Sequence, residues 1–205
     1  MDYTTLASAE SQKKTADGLT NRRFEPILVE NSAKALELIK ASIPKGASVM
    51  NGSSVTLEEI GFVDYLKSGK HDWNNLHEAV IAEKDPVKRA ELRKRSVVSD
   101  FYLGSVSALS ETGEMVIGSN TGSQMPHLVY SSQNLILVVG AQKITPTFAA
   151  AIERLEKHVI PLEDEHMKKL YGAGTTHNKT VILHGESVMM KRSVKVLIVN
   201  EKLGF

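Results

Sequence analysis

Cysteine is absent from this 205-residue chain. Its absence excludes disulfides, a cysteine nucleophile and thiolate-held zinc or iron–sulfur clusters within the chain. An excess of one charge is missing too. Lys and Arg number 25 against 24 Asp and Glu, a net charge of +1, so no global field draws the protein to nucleic acid or to an anionic membrane. Long apolar runs are lacking: one of the longest, Leu135 to Gly140, is far too short to span a bilayer. The opening Met1-Asp2-Tyr3-Thr4-Thr5 has neither the basic nor the apolar region of a secretory signal. The seven histidines show no His-x-x-x-His spacing, and His177 and His184 are too weakly related to suggest a shared ligand, so no metal is expected. A soluble protein of a reducing, cytoplasmic compartment is the expectation left.

What is present is ordinary for a globular chain, with 41% apolar and 24% charged residues. The length suits one core, hence a single domain over residues 1–205, with a polar N-terminal helix over residues 3–23 as an appendage. Strand-like and helix-like segments alternate. Ala33, Leu36, Ile39 and Ile43 repeat at helical spacing behind an Asn31 or Ser32 cap, and Thr56-Leu57-Glu58-Glu59 matches a capping box opening a helix towards Leu66. Asp85-Pro86 starts a basic helix, and Thr145-Pro146 starts another bearing Phe148, Ile152 and Leu155. Leu135 to Val139 reads as a strand buried on both faces, and Val181 to Leu183 with Val194 to Val199 as a closing strand pair. This alternation predicts a three-layer α/β domain with a largely parallel sheet, whose ligands sit beyond the carboxyl ends of the strands.

Candidate site residues fall in the turns after those strands. Asn51-Gly52-Ser53-Ser54 follows a strand and precedes a helix, an order that holds a carboxylate or phosphate on backbone N–H groups and hydroxyls; an ordinary strand-to-helix turn uses the same residue types. Gly104 follows the next strand. Ser119-Asn120-Thr121-Gly122 is either a ligand loop, where glycine permits close backbone approach, or a solvated loop. Glu111, between a strand and the Thr112-Gly113 turn, can aim its carboxylate into a cleft or brace its own turn. Lys143, soon after a buried strand, can point its charge at an anion or simply be solvated. The basic segment Lys84 to Arg95 could meet a CoA phosphate, a nucleic acid or a partner. It reads more simply as a solvated helix face, and with no interleaved aromatics it predicts no nucleic-acid binding.

The run Ser99-Asp100-Phe101-Tyr102-Leu103-Gly104-Ser105-Val106-Ser107-Ala108-Leu109-Ser110-Glu111-Thr112-Gly113 resembles the central signature of the lactate-utilisation (LUD) family. Asn51-Gly52-Ser53-Ser54, Ser119-Asn120-Thr121-Gly122, Pro126-His127 and Val138-Val139-Gly140 with Lys143-Ile144 keep the family's order, over roughly Glu30 to Leu155. The resemblance implies a NagB/RpiA/CoA transferase-like fold, shared with sugar-phosphate isomerases and glucosamine-phosphate deaminases. It also implies a role in oxidising lactate to pyruvate alongside iron–sulfur partner proteins. Gly174-Thr175-Thr176-His177-Asn178-Lys179 stands where family members commonly carry Gly-Pro-Ser, and the cysteine-rich tail of longer relatives is lacking.

The expected function is therefore binding of a small carboxylate or phosphate-bearing metabolite, with the cofactor left open. One alternative is an enzyme like the CoA transferases or sugar-phosphate isomerases. Ser110-Glu111-Thr112-Gly113 is similar to the Ser-Glu-x-Gly motif in which CoA transferases of this fold carry a glutamate nucleophile, which would make Glu111 catalytic. The other is a non-catalytic partner of an iron–sulfur oxidoreductase. A homodimer is the default expectation for such a chain.

Overall fold

Side chains alternate across a strand, so a strand that is apolar at every position must be covered on both faces. The computed structural model, which describes residues 2–205, shows this for the central strand. The elements in chain order begin α1 (Ala9–Asn21), β1 (Glu25–Val29), α2 (Ser32–Ser42), β2 (Ser48–Asn51), α3 (Val55–Glu59), α4 (Phe62–Lys67), β3 (Asn74–Asn75), α5 (Leu76–Ala82) and α6 (Pro86–Arg95). They continue with β4 (Phe101–Gly104), β5 (Ala108–Ser110), β6 (Met115–Ser119), β7 (Asn134–Gly140), β8 (Ile144–Thr145), α7 (Phe148–Arg154), α8 (Ile160–Tyr171), β9 (Lys179–Leu183) and β10 (Ser193–Val199).

Six strands form an all-parallel sheet in the order β1-β10-β7-β4-β2-β3. On one face Ile136, Val138, Leu197 and Val199 pack with Ile39, Leu57, Phe62 and Leu66 of α2, α3 and α4. On the other, Leu135, Leu137, Val139, Val196 and Ile198 meet Leu19 of α1 together with Leu109 and Met115. Those last two belong to a smaller mixed sheet, β8-β5-β6-β9, backed in turn by Ala151 of α7 and by Leu155. The parallel register is locked at one end by Asp100. Its carboxylate accepts from the Ser48 N–H at 2.8 Å and the Ser48 hydroxyl at 2.7 Å, and its own N–H donates back to Ser48 Oγ.

Helix starts follow the expected chemistry, with corrections. Ser8, Asn31, Ser54, Asn75, Asp85 and Thr147 each accept a first-turn N–H on their side chain, worth about 1 kcal/mol apiece. Ser54, not Thr56, is thus the cap before Leu57, and Gly61, at φ +77, divides the expected single helix into α3 and α4. Thr147, not Thr145, caps α7, because Thr145 is drawn into β8 opposite Ser110. The buried stripe of α2 is Ala35 and Ile39, and Ala33 is exposed. Residues Val181–Leu183 and Val194–Val199 do not pair with each other. β9 joins β6 in the small sheet, and β10 inserts between β1 and β7 in the large one. Helix α6 buries none of its residues. No helix among the described residues is long and apolar enough to cross a membrane.

Candidate functional site

Because β2, β4 and β7 run parallel, the turns that follow them open on one rim of the sheet. Gly52 to Thr56, Gly104 to Ser107, and Lys143 meet there around a cavity of about 380 Å³, within the range of small-molecule sites. Gly118 to Thr121, at the end of β6, forms another wall. One face of α8, carrying Ile160, Glu163, Met167 and Tyr171, lies opposite with His177. Gly204 and Phe205 also line the cavity. That segment is held by Gln142, whose side chain bonds the Leu203 N–H and carbonyl, and by Glu59, which accepts the Gly204 N–H at 2.6 Å.

Lys143 is the one lysine or arginine among the cavity-lining residues, and it is buried. Its Nζ donates to Thr56 Oγ1 at 2.9 Å, Ser105 Oγ at 3.1 Å and the Val106 carbonyl at 3.2 Å. No carboxylate among the described residues pairs with it. Burial, with a smaller push from Arg154 and a partial offset from Glu59, lowers its amine to about 7.

Arg154 is a second buried cation behind the same wall. It donates to the Ser107 carbonyl and to a backbone oxygen of Phe205, both cavity residues, while its Nε and Nη2 find no partner among the described residues. Burial lowers its guanidinium to about 10. Neither of these two buried cations forms an ion pair with an acidic side chain among the described residues.

The floor between β2 and β4 is aromatic. The Tyr102 ring stacks on His127 at 4.4 Å, and the space a Gly52 side chain would need is taken by the Tyr102 hydroxyl, 2.6 Å from that Cβ position. His127 Nδ1 meets Ser132 Oγ at 2.7 Å, and burial lowers the imidazole to about 4. An unfolded histidine takes up a proton as pH falls below its ordinary 6.5, and the folded one resists until about 4. Stability from this group is therefore lost progressively between those values. Acid titration should show the loss, and the His127→Gln variant should show a shallower one.

Burial also raises the Glu163 carboxyl, the single acid lining the cavity, against a smaller opposing effect of His166. The site thus offers a lysine, a half-buried carboxyl, two histidines and a ring of hydroxyls. These can bind an anion and move a proton. No cluster of three or more metal-ligating side chains exists among the described residues.

Of the residues expected from sequence, Gly52, Ser53, Ser54, Gly104, Ser119, Asn120, Thr121 and Lys143 line this cavity. Asn51 is buried, its Oδ1 without a partner among the described residues, and neither it nor Gly122 lines the cavity. Glu111, Thr112 and Gly113 are not brought to the cavity. Glu111 accepts from Ser11 Oγ and Lys14 Nζ of α1, each at 2.7 Å. Burial alone would raise its carboxyl, but these two donors outweigh burial and hold it below the usual carboxylate range. The Thr112 carbonyl accepts from Arg22, which also pairs with Glu114, and Gly113 lies against Gly18. In this arrangement the Ser-Glu-Thr-Gly turn docks α1.

Sequence reasoning missed Thr56, Glu163, His166, His177 and Arg154. A signal existed for two of them. Arg154 sits three residues after Ala151 and beside Leu155, on the buried face of α7, and Glu163 shares a helical stripe with Ile160, Met167 and Tyr171.

A family model of the LUD domain matches residues 12–199 of the chain. No curated protein matches it. Among solved structures, a DUF162 family protein from Deinococcus radiodurans superposes with a TM-score of 0.58 at 14% identity, over 96% of this chain and 100% of that one. Ribose 5 phosphate isomerase A from Neisseria gonorrhoeae superposes only loosely, with a TM-score of 0.33 at 14% identity over 90% and 80% of the two chains. The first of these likenesses is one of fold. The family match runs from within α1 to the last residue of β10, and on that extent the chain belongs to the LUD domain family.

Proposed function

We propose that the cavity binds a small anionic metabolite, and that hydroxy-acid and oxo-acid chemistry, lactate and pyruvate foremost, is its setting. The observation that carries this reading is Lys143, the only lysine or arginine in a hydroxyl-lined cavity, buried without a carboxylate partner. Membership of the LUD family supports the choice of metabolite class. A carboxylate beside Nζ would supply the missing countercharge, while Ser53, Ser105 and Ser119 offer hydroxyls for its remaining lone pairs. The site would take up a proton as it binds, since the anion stabilises the ammonium form.

Thermal shift and titration calorimetry with lactate, pyruvate and inorganic phosphate test the reading. Binding should raise apparent stability as ligand exceeds its dissociation constant and should weaken as pH rises above 7. Lys143→Met should lower affinity about tenfold or more, the order expected when a charged hydrogen bond of roughly 1.5–3 kcal/mol is lost. No stabilisation by any of the three anions at millimolar concentration would remove the reading.

A further inference from the structure

A lysine held permanently as an ammonium ion normally sits in water or against a carboxylate, and Lys143 has neither. Two of its three neighbours, Thr56 and Ser105, are hydroxyls, which can donate as well as accept. The third, the Val106 carbonyl, only accepts. An uncharged amine keeps two of these bonds as a donor, to the Val106 carbonyl and to one hydroxyl, and the other hydroxyl can turn from the backbone carbonyl it meets at 3.4 Å to donate to the nitrogen lone pair. Arg154, the other buried cation of this wall, disfavours a second positive charge nearby. Lys143 lines a cavity whose volume suits a small metabolite.

Resting on the anion-binding reading of the same cavity, we propose that Lys143 is a nucleophile that forms a Schiff base with a small carbonyl compound bearing an anionic group, such as a 2-oxo acid or a phosphorylated ketone. The Nζ lone pair attacks the carbonyl carbon, forming the C–N bond and breaking the C=O π bond. One proton passes from nitrogen to the new hydroxyl, and the hydroxyls of Ser105 and Thr56, within 3.1 Å of Nζ, are placed to relay it. The C–O bond then breaks, oxygen leaves as water with the second amine proton, and nitrogen closes the C=N bond. Amine plus carbonyl gives imine plus water, with no oxidant or reductant. At neutral pH an amine near 7 is about half uncharged, whereas an ordinary lysine near 10.4 is uncharged in only about one molecule in a thousand.

The test is trapping. The protein is incubated at pH 7.5 with pyruvate or with dihydroxyacetone phosphate, reduced with cyanoborohydride, and mapped by peptide mass spectrometry. Lys143 should carry the adduct at more than about tenfold the level of any surface lysine, given their uncharged fractions. Excess lactate, which has no carbonyl, should suppress it, and the two probes separate an oxo acid from a phosphorylated ketone. Mapping needs no variant; Lys143→Arg, checked for folding by circular dichroism, should leave that peptide unlabelled. Label spread evenly over surface lysines would overturn the proposal. No adduct with either probe, where calorimetry shows lactate or phosphate bound, would overturn the Schiff base and leave the binding site standing. Absence of both adduct and binding would remove the two together.

Discussion

Between pH 7 and pH 9 the ligand-free protein should become more stable by roughly 2–3 kcal/mol, at about 1.4 kcal/mol for each pH unit over which one proton is released on folding. The source is Lys143. Its amine falls from the ordinary 10.5 to about 7 in the folded state, so above 7 the unfolded chain holds a proton that the folded chain has given up. Alkali then favours folding, and the gain continues until the unfolded lysine also titrates. Arg154 does not contribute in this window, since it stays charged in both states up to about 10. Urea unfolding across this range measures the slope, and Lys143→Met should flatten it. A slope that survives in the variant would place the titrating group elsewhere.

Gly113→Ala should destabilise the protein by about 3 kcal/mol, because two penalties act at one atom. The residue has φ +92, where a Cβ is strained, at about 1–2 kcal/mol. The added Cβ would also lie 2.5 Å from the Gly18 carbonyl carbon and 2.7 Å from the Leu19 nitrogen. Backbone cannot yield as a flexible side chain does, and overpacking of this kind costs about 1–3 kcal/mol. The loss should appear first as release of α1, since Glu111 and Gly113 are engaged by that helix and Thr112 by Arg22, its C-cap. Hydrogen exchange should show Leu19 and its neighbours losing protection ahead of β7. Equal loss in both would mean that α1 and the sheet unfold as one unit.

How legible these features are in the sequence depends on the range of the interaction behind them. The continuous apolar run of β7 and the Asp85-Pro86 helix start are local, and they read correctly. Lys143 is recognisable as a residue soon after a buried strand, although nothing local distinguishes its burial from solvation. The misreadings are contacts between distant segments. Val181–Leu183 and Val194–Val199 are close in sequence and both apolar, which suggests a closing strand pair; their actual partners, β6 and the β1–β7 pair, are set by the crossovers. Glu111 stands in a turn suited to a cleft, but Ser11 and Lys14, far earlier in the chain, reach its carboxylate. Thr145 reads as a cap because it precedes proline, whereas parallel pairing with Ser110 draws it into a strand.

The position of β10 bears on how the chain reaches this structure. Glu25 pairs with Lys195 and Val29 with Val199, and β10 is the sole sheet neighbour of β1 among the described residues. During synthesis, β1 therefore leaves the ribosome long before its partner exists, as an apolar edge with nothing to pair. Closure must await the synthesis of β10, and such long-range parallel pairing is slow and exposes intermediates to association. Chaperone dependence and sensitivity to shortened transcripts would be inherited from this one placement.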